Sequence, residues 1–397
     1  MAATNVSNPI SAAHPLAGTT MSGAEMIVRV LADEGTTAIF GYSGGAILPT
    51  YDAVFLYNQE RVARGEPQMP LIVPANEQGA GFMAAGYARA SGKVGVCMVT
   101  SGPGATNTVT PVRDSMADSI PMIVICGQVP TSAIGTDAFQ EAPVPALMGS
   151  VAKHIFLVTE PEKLEATVRT AFEIARTGRP GPVLIDVPKD VLTTSMEWYW
   201  PTDAEVADSI PGYRPTSKGH PRMIKEAARL ILASERPLLY VGGGILKARA
   251  AEALRELAEL TQIHVVTTLM ARGAFPDSHP LCLGMPGMHG NATAVTAMQK
   301  SDLLVALGAR FDDRVTGKVS GFAPDAKIIH VDIDPAEQGK VRRPDVPIVG
   351  DCRLVIEELI KAIKDLLASG AHRADTSAWK SRVSGWREQF PLSYEPS

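Results

Sequence analysis

Glu77 is the residue whose setting in this 397-residue sequence points most directly to chemistry. It is the only acidic residue between Glu66 and Asp114, and it opens a run of small residues at helical spacing. Burying a carboxylate in such apolar surroundings is costly unless another group bonds to it. Two interpretations stay open at this point: a first-turn glutamate that complements the helix dipole, or a functional carboxylate with a bound partner.

Segments rich in Gly and small polar residues follow three other predicted strands. They are Gly-Tyr-Ser-Gly-Gly at 41–45, Ser-Gly-Pro-Gly-Ala-Thr-Asn at 101–107, and the segment 128–140. Glycines at a strand end let a ligand approach the backbone closely, although a tight structural turn would use the same residues. In open parallel sheets, ligands bind beyond the carboxyl ends of the strands. The shared position of these segments and Glu77 therefore favours one functional site over four separate turns.

The elements that must position these residues alternate between strand and helix. Apolar runs predict buried strands at 69–73, 94–100, 121–127 and 183–187, with a further strand at 37–40. Helices are predicted from the capping box of Ser22 and Glu25 to Gly35, and over 161–177, whereas 58–68 is a predicted polar loop. Alternating helices and apolar strands predict an α/β fold with a doubly wound parallel sheet.

The second half of the chain repeats the α/β pattern. Strands are predicted at 238–244, 264–268, 302–308 and 327–334, and an amphipathic helix at 353–367. The glycines at 242–244 lack the spacing of a dinucleotide loop. The carboxylates of Asp332 and Asp334 could accept hydrogen bonds from a ribose or cap the next turn. The guanidinium groups of Arg310 and Arg314 could hold a diphosphate. Each has surface polarity as an equal alternative, and together they indicate a nucleotide-bearing cofactor.

Length and composition predict two or three domains. The predicted divisions are a flexible N-terminus (1–20), an N-terminal domain (21–189), a linker (190–220), a central domain (221–370) and a weakly structured tail (371–397). A net charge of −5 without a basic, aromatic-rich run argues against nucleic acid or an anionic membrane as a partner. The four cysteines form no CxxC pair, and the start lacks a signal or membrane segment. These features predict buried thiols in a cytoplasmic protein.

Several long motifs recur in order along the chain. They are Gly-Tyr-Ser-Gly-Gly-Ala-Ile-Leu-Pro-Thr-Tyr-Asp at 41–52, Glu-Gln-Gly-Ala-Gly at 77–81, Thr-Ser-Gly-Pro-Gly-Ala-Thr-Asn at 100–107, Gly-Gln-Val-Pro-Thr-Ser at 127–132, Gly-Thr-Asp-Ala-Phe-Gln-Glu at 135–141, Gly-Arg-Pro-Gly-Pro-Val-Leu-Ile-Asp-Val-Pro-Lys-Asp at 178–190, Gly-Met-His-Gly at 287–290, and Gly-Ala-Arg-Phe-Asp-Asp-Arg-Val-Thr-Gly at 308–317. Over about residues 21–385 the sequence resembles the catalytic, or large, subunit of acetolactate synthase (acetohydroxyacid synthase).

The resemblance implies a thiamine diphosphate enzyme of valine and isoleucine synthesis that also holds FAD. Such an enzyme condenses two pyruvates, or pyruvate and 2-ketobutyrate, with loss of carbon dioxide. Its first domain would bind the cofactor's pyrimidine, and its central, Rossmann-like domain would bind FAD. A homodimer or tetramer and a small regulatory subunit are the implied assembly.

The resemblance also implies roles for individual residues. Glu77 would bond N1′ of the aminopyrimidine and so promote removal of the C2 proton. The substrate channel would contain Gly45, Ala46, Phe139 and Gln140, with Lys189 at its mouth. The residues implied to contact FAD are Arg179, Gly242, Gly243, Gly244, Thr267, Leu269, Met285, Gly287, Met288, His289, Gly308, Ala309, Arg310, Phe311, Asp312, Asp332, Ile333 and Asp351.

The sequence departs from the family pattern at two places. Ser43 stands where many relatives have Pro, although its flanking glycines remain. The family's third domain carries a Gly-Asp-Gly motif and later paired asparagines, which hold magnesium and the diphosphate, and neither motif occurs here. We therefore expect the first two of three domains, no metal ligands in this chain, and no activity from it alone.

Other functions compete with this interpretation. One is another carboligase or decarboxylase of the same cofactor class, such as glyoxylate carboligase or oxalyl-CoA decarboxylase. Glu77 argues against the first, whose equivalent position is apolar, and the motifs at 135–141 and 310–315 argue against the second. The remaining alternative is a non-catalytic remnant that binds FAD or a partner.

Overall fold

The computed structural model describes residues 14–392. The chain divides into two compact units, Met1–Tyr213 and Arg214–Ser397. The predicted flexible start at 1–20 falls mostly on residues 1–13, which lie outside the described part.

A parallel sheet of six strands forms the centre of the first unit, in the spatial order β3-β2-β4-β5-β7-β6. Two further strands, β1 and β8, form a separate antiparallel pair. In chain order the strands are β1 (Thr20–Ser22), β2 (Ile39–Tyr42), β3 (Leu71–Ile72), β4 (Gly95–Val99), β5 (Met122–Gln128), β6 (His154–Leu157), β7 (Pro182–Pro188) and β8 (Ser195–Glu197).

Helices cover both faces of this sheet. They are α1 (Gly23–Asp33), α2 (Leu48–Ala63), α3 (Glu77–Ser91), α4 (Pro103–Thr106), α5 (Val109–Ala117), α6 (Val144–Met148), α7 (Leu164–Arg176), α8 (Lys189–Thr193) and α9 (Asp203–Ser209). Alternate residues of β5 enter different apolar clusters: Ile123 and Ile125 pack with α1, α2 and α7, whereas Met122 and Val124 pack with α3, α5 and α6. The predicted doubly wound α/β fold is confirmed.

The start of α1 follows its sequence signals. The hydroxyl of Ser22 accepts a bond from the amide of Glu25 at 3.2 Å, and the Glu25 carboxylate accepts one from the Ser22 amide at 2.8 Å. Gly35 follows the helix at φ 76°, in the left-handed region that glycine tolerates. The predicted capping box and helix end are confirmed.

Three local predictions for the first unit need correction. The strand predicted at 69–73 is only the short edge strand β3, and Ile72 and Val73 are exposed, because an edge strand has a neighbour on one side only. Helix α2 extends through much of the predicted loop at 58–68. Strand β2 begins two residues later than predicted and includes Gly41 and Tyr42.

The segment 190–220, which the composition indicated as a linker, is ordered over much of its length. It contains most of α8, β8 and α9, and its Trp198 and Trp200 are almost fully buried in the first unit's core. The two units meet in sequence between Tyr213 and Arg214. Proline and tryptophan suggested irregular chain because they obscure periodicity, although the tryptophans anchor this segment.

The second unit also contains a parallel sheet of six strands, in the order β11-β10-β9-β12-β13-β14. Its strands are β9 (Pro237–Val241), β10 (His264–Thr267), β11 (Cys282–Gly284), β12 (Leu303–Leu307), β13 (Lys327–Asp332) and β14 (Val346–Val349). Its helices are α10 (Pro221–Ala233), α11 (Gly244–Lys247), α12 (Ala251–Thr261), α13 (Ala292–Lys300), α14 (Asp313–Thr316), α15 (Cys352–Ala368) and α16 (Ser377–Gln389).

Helix α16 lies in the stretch 371–397, where the sequence carries only weak structure signals. Its Trp379 and Val383 are buried against α13. Its Arg387 donates hydrogen bonds to the backbone carbonyls of Pro280, at 2.9 Å, and Cys282. These carbonyls belong to or adjoin β11, which forms one edge of the sheet, so α16 covers that edge.

Candidate functional site

In the first unit, the residues that the sequence assigns to a functional site lie at or after the carboxyl ends of the parallel strands. The strand order reverses between β2 and β4; the Gly-rich segment 41–45 begins at the end of β2, and the segment 101–107 follows β4. Glu77 begins α3 shortly after β3, residues 128–140 follow β5, and Lys189 follows β7. The sheet therefore places all of them at the end where its strands have their carboxyl termini. This end includes the switch point, where open sheets bind ligands.

Glu77 occupies the first position of α3 and is 8% exposed. The preceding residue, Asn76, caps the helix by accepting a bond from the Gly79 amide at 2.8 Å. The side-chain amide of Asn107 donates to Oε2 of Glu77 at 2.8 Å. Glu77 is thus a buried carboxylate at a helix start with a neutral amide as its partner.

Sequence reasoning missed Asn107 as this partner. The residue ends the motif at 101–107, so its motif could be recognised, but its bond to Glu77 depends on the pairing of β2 with both β3 and β4. Its amide helps to fix the direction of the carboxylate without supplying a charge.

Two protonated groups lie in the electrostatic field of Glu77. Burial, together with the Glu77 charge, raises the pKa of the Cys97 thiol to about 12. Burial is also the main cause that raises the pKa of Tyr51, whose hydroxyl donates to the Met98 carbonyl at 3.2 Å. Both groups therefore keep their protons near neutral pH.

The side chain of Thr100, just after β4, packs against the backbone of the turn after β2. The Ala46 amide donates to the Thr100 hydroxyl at 3.3 Å, and a Cβ on Gly44 would lie 2.5 Å from Thr100. A Cβ on Gly45 would meet nothing within 4 Å. Gly44 is therefore needed for packing, whereas Gly45 faces open space.

The loop after β5 packs against the turn after β4. Gly102 has φ 55°, and a Cβ there would lie 2.4 Å from the Gln140 carbonyl oxygen. The Glu141 carboxylate accepts bonds from the amides of Gly135 and Ala138, and these bonds lower its pKa. The loop is thus internally bonded, and it leaves the side chain of Phe139 89% exposed.

Lys189 and Arg179 have different surroundings. Lys189 is exposed at the start of α8, and the next residue, Asp190, accepts a bond from the Thr131 amide at 3.0 Å. Arg179 donates to the Ser119 hydroxyl at 2.9 Å within the first unit. Roles in substrate or flavin binding stay predictions for both residues.

The residues predicted to contact FAD in the second unit follow the carboxyl ends of all six strands. The strand order reverses between β9 and β12, which precede the segments 242–244 and 308–312. The others are Thr267 at the end of β10 with Leu269 after it, Met285, Gly287, Met288 and His289 after β11, Asp332 and Ile333 at the end of β13, and Asp351 after β14. The structure brings these residues to one edge of the sheet.

Gly242, Gly244 and Gly308 pack backbone against backbone at that switch point. The Gly244 amide donates to the Gly308 carbonyl at 3.2 Å, and a Cβ on Gly242 would lie 2.1 Å from the same oxygen. Contact between the two turns is sufficient to require glycine at these positions. The glycines therefore do not by themselves indicate a nucleotide.

Several predicted FAD residues use their side chains within the fold. Phe311 and Thr267 are almost fully buried, and Thr267 accepts a bond from Arg272 at 2.9 Å. Asp351 caps α15, and Asp332 accepts a bond from the Asp334 amide at 2.9 Å. Only parts of these four residues remain available to a ligand.

Other predicted FAD residues are exposed. Leu269 is 70% exposed and Met288 is 64% exposed, and Arg310 is exposed between buried Ala309 and Phe311. Exposed apolar side chains with a guanidinium group on the same sheet edge suit a ligand that has both a flat apolar part and a phosphate.

No cluster of three or more His, Cys, Asp or Glu side chains with metal-binding geometry occurs between residues 14 and 392. All four cysteines are buried and free, as predicted. Among the helices of the described residues, none is long and apolar enough to span a membrane.

Comparisons with known proteins match both units. Residues 21–147 match the family described as thiamine pyrophosphate enzyme, N-terminal TPP binding domain, and residues 224–359 match the thiamine pyrophosphate enzyme central domain. The chain is 52% identical over 376 residues to the acetolactate synthase of Mycobacterium bovis, an alignment that covers 95% of this chain and 58% of that protein.

Similar values are found for other relatives. The acetolactate synthase large subunit of Corynebacterium glutamicum is 51% identical over 375 residues, covering 94% of this chain and 57% of the relative. The probable acetolactate synthase large subunit of Methanocaldococcus jannaschii is 50% identical over 364 residues, covering 91% and 59%. The chain therefore spans less than two thirds of the length of these relatives.

Proposed function

We propose, from the premise that this chain belongs to the family of acetolactate synthase large subunits, that it supplies the pyrimidine-binding and central domains of a thiamine diphosphate-dependent acetolactate synthase. The proposed reaction condenses two pyruvates, or pyruvate and 2-ketobutyrate, with loss of carbon dioxide, for branched-chain amino acid synthesis in the cytoplasm. The relatives favour this function over another carboligase or a non-catalytic remnant. Because the chain spans 58% of the M. bovis relative, the activity is proposed for a protein that also contains the remaining part.

The observation that carries the proposal is the buried carboxylate of Glu77 beside the neutral amide of Asn107. A carboxylate with a neutral partner can still accept a proton or a hydrogen bond from a ring nitrogen, so it fits the pyrimidine of thiamine diphosphate. When bound, this cofactor would supply a cationic ring that stabilises negative charge on the former keto carbon of the substrate. Glu77 would hold the proton that the pyrimidine exchanges, while Tyr51 and Cys97 keep theirs.

The proposed substrate path runs along the same sheet edge. Open space at Gly45 leaves room for a small keto acid, and buried Ala46 bounds it. Phe139 offers an exposed apolar face, and Gln140 lies beside it. The exposed ammonium group of Lys189 suits the carboxylate of an entering 2-keto acid.

FAD is proposed to bind the second unit at the carboxyl edge of its sheet. The exposed side chains of Leu269, Met288 and Arg310 support this proposal. The buried predicted residues, such as Phe311, would shape the site from beneath. Magnesium and the diphosphate of thiamine diphosphate are proposed to have their ligands outside this sequence, since the family's Gly-Asp-Gly and Asn-Asn motifs are not in it.

A homodimer or tetramer and a small regulatory subunit are the proposed partners. The C. glutamicum and M. jannaschii relatives are named as a large subunit and a probable large subunit, which supports a second kind of subunit. Phe82 and Met83 of α3 are 42% and 43% exposed, and these apolar side chains support association through the helix that Glu77 begins.

The test joins this chain to the remaining C-terminal part of the C. glutamicum relative. The fusion is supplied with pyruvate, thiamine diphosphate, magnesium and FAD, and acetolactate is measured. We expect product from the fusion and none from the 397-residue chain alone. Glu77→Gln should lower the rate by about 100 to 10,000-fold, the usual contribution of a general acid or base.

A control variant beside Glu77 gives this test its meaning. Asn76→Ser keeps a helix-capping side chain next to Glu77, so it should retain most of the activity. A folded Glu77→Gln fusion with undiminished turnover would return Glu77 to the role of a helix-start residue, and the proposed function would then lose its main support.

A further inference from the structure

Asp186 is a carboxyl group within an otherwise apolar central strand. It lies in β7, is 0% exposed, and pairs in register with Cys126 of β5 and Leu157 of β6. The side-chain amide of Gln128 donates to Oδ2 of Asp186 at 3.0 Å. Burying a carboxyl group in the core of a sheet costs free energy, and the hydrogen bond from Gln128 offsets part of that cost. The presence of a carboxyl at this position therefore calls for a structural or functional reason.

Gln128 connects Asp186 to the loop after β5. Its Nε2 atom also donates to the Ala142 carbonyl at 3.3 Å, and its Oε1 atom accepts a bond from the Val129 amide at 2.8 Å. One side chain thus links β7 with both ends of the segment 129–142. The thiol of Cys126 lies 3.4 Å from the Thr100 carbonyl oxygen, at the start of the turn after β4.

The segment 129–142 carries Phe139 and Gln140. The Gln140 backbone packs directly against Gly102, so a shift of this segment displaces it from the turn after β4. The Glu141 carboxylate keeps the tip of the loop bonded to itself, but these bonds do not attach the loop to the sheet. The bond from Gln128 to Ala142 is an attachment of that kind.

Asp186 is suited to this role because its surroundings favour the neutral acid. Burial raises the pKa of Asp186 to about 7, although its bonds partly oppose the shift. The neighbouring Cys126 thiol also has a raised pKa because of burial, and so it stays neutral. A neutral carboxyl accepts the Gln128 bond with its carbonyl oxygen, without a buried charge.

We propose that Asp186 is a positioning residue, which acts through Gln128 to fix the segment 129–142 against the turn of residues 100–107. It thereby sets the place of Phe139 and Gln140. That the positions of Phe139 and Gln140 matter for a substrate rests on the proposed function. The contacts from Asp186 through Gln128 to this segment do not depend on it.

Hydrogen exchange of the 397-residue chain, without any cofactor, tests these contacts. Mass spectrometry follows the peptides that cover residues 129–142 in the wild type, Asp186→Leu, Gln128→Met and Asp186→Asn. Asp186→Leu and Gln128→Met should each speed exchange in this segment about tenfold, because a buried hydrogen bond is lost. At pH 5, where Asp186 is protonated, Asp186→Asn keeps a neutral acceptor of the same shape, so its exchange should stay within about twofold of the wild type.

The exchange rates of these variants decide whether Asp186 positions the segment 129–142. Wild-type exchange in this segment of both Asp186→Leu and Gln128→Met would overturn the proposal. If Asp186→Leu does not fold, Gln128→Met decides alone. Asp186→Asn that exchanges as fast as Asp186→Leu would also overturn it, because the acceptor would then not be the operative feature.

The fusion enzyme separates this inference from the proposed function. There, Asp186→Leu should raise the KM for pyruvate or lower kcat about tenfold, and Asp186→Asn should restore both. Faster loop exchange in a fusion whose wild type makes no acetolactate would support the positioning role and count against the proposed function only.

Discussion

The buried carboxyl of Asp186 makes the stability of the first unit depend on pH in a direction opposite to that of most aspartates. Its pKa is about 7 in the folded chain, compared with 3.8 for an unperturbed aspartate. The protonated group therefore contributes its full stabilisation below about pH 4, and this contribution is lost as the pH rises through 7. Between pH 5 and pH 8, these two pKa values correspond to a loss of about 2–3 kcal/mol.

Asp186→Asn removes this titration while it preserves the shape of the side chain. We expect the free energy of unfolding of the variant, relative to the wild type, to rise by about 2–3 kcal/mol between pH 5 and pH 8. The measurement is native-state hydrogen exchange of the peptides that cover β5 and β7, corrected for the intrinsic effect of pH on exchange. These peptides report the first unit alone, so unfolding of the second unit does not interfere.

Asp190→Asn serves as the contrasting variant. Its exposed carboxylate has a pKa that is lowered by bonds from Thr131, so its contribution is lost as the pH falls rather than as it rises. Across pH 5 to 8, its difference from the wild type should be nearly constant. A constant difference for Asp186→Asn over the same range, within about 0.5 kcal/mol, would show that Asp186 is already ionised in the fold.

Three further predictions follow from backbone contacts and from the second unit. Gly102→Ala places a Cβ 2.4 Å from the Gln140 oxygen at a φ of 55°, so we expect a loss of about 1–3 kcal/mol and faster exchange in the segment 129–142. Gly242→Ala brings a Cβ to 2.1 Å from the Gly308 oxygen and should lower the melting temperature of the second unit. Its control is Gly385→Ala in helix α16: the added Cβ meets nothing within 4 Å, so this variant should stabilise the second unit by about 0.5–1 kcal/mol. The purified chain should quench flavin fluorescence saturably at micromolar FAD, and a folded chain without such quenching would contradict the assignment of the flavin site.

The fold class could be predicted from the sequence because parallel strands that are buried on both faces are continuously apolar. Residues 94–100 and 121–127 fit that pattern, and β4 and β5 lie there. Edge elements fitted the same reasoning less well: β6 and β14 are short and were not predicted, and β3 covers only two residues of the strand predicted at 69–73. Their existence depends on pairing with a neighbour, which periodicity within a segment does not contain.

Helix α16 was missed for a different reason. Its sequence includes three serines and Gly385, which lower helix propensity, and only Trp379 and Val383 are buried. Its stability comes from tertiary contacts with α13 rather than from its own composition.

The candidate site shows the same division between local and tertiary information. Glu77 was identified because an isolated carboxylate in a Gly and Ala run is conspicuous along the chain. Asn107 was recognised only as part of a motif, and Asp186 as part of an apolar strand. Their partners, Glu77 and Gln128, lie 30 and 58 positions away, so strand order and register were needed to reveal the bonds.

The guanidinium of Arg387 has a consequence for self-association. Strand β11 is an edge strand, and free edge carbonyls recruit strands from other molecules. Arg387 occupies two of these carbonyls, on Pro280 and Cys282, from a helix that follows more than 100 positions later. Recombinant fragments that stop before α16 would uncover this edge together with the apolar face under Trp379. The end of α16, at Gln389, therefore marks the earliest C-terminal boundary that keeps this edge covered, since shorter fragments should form intermolecular sheet and precipitate.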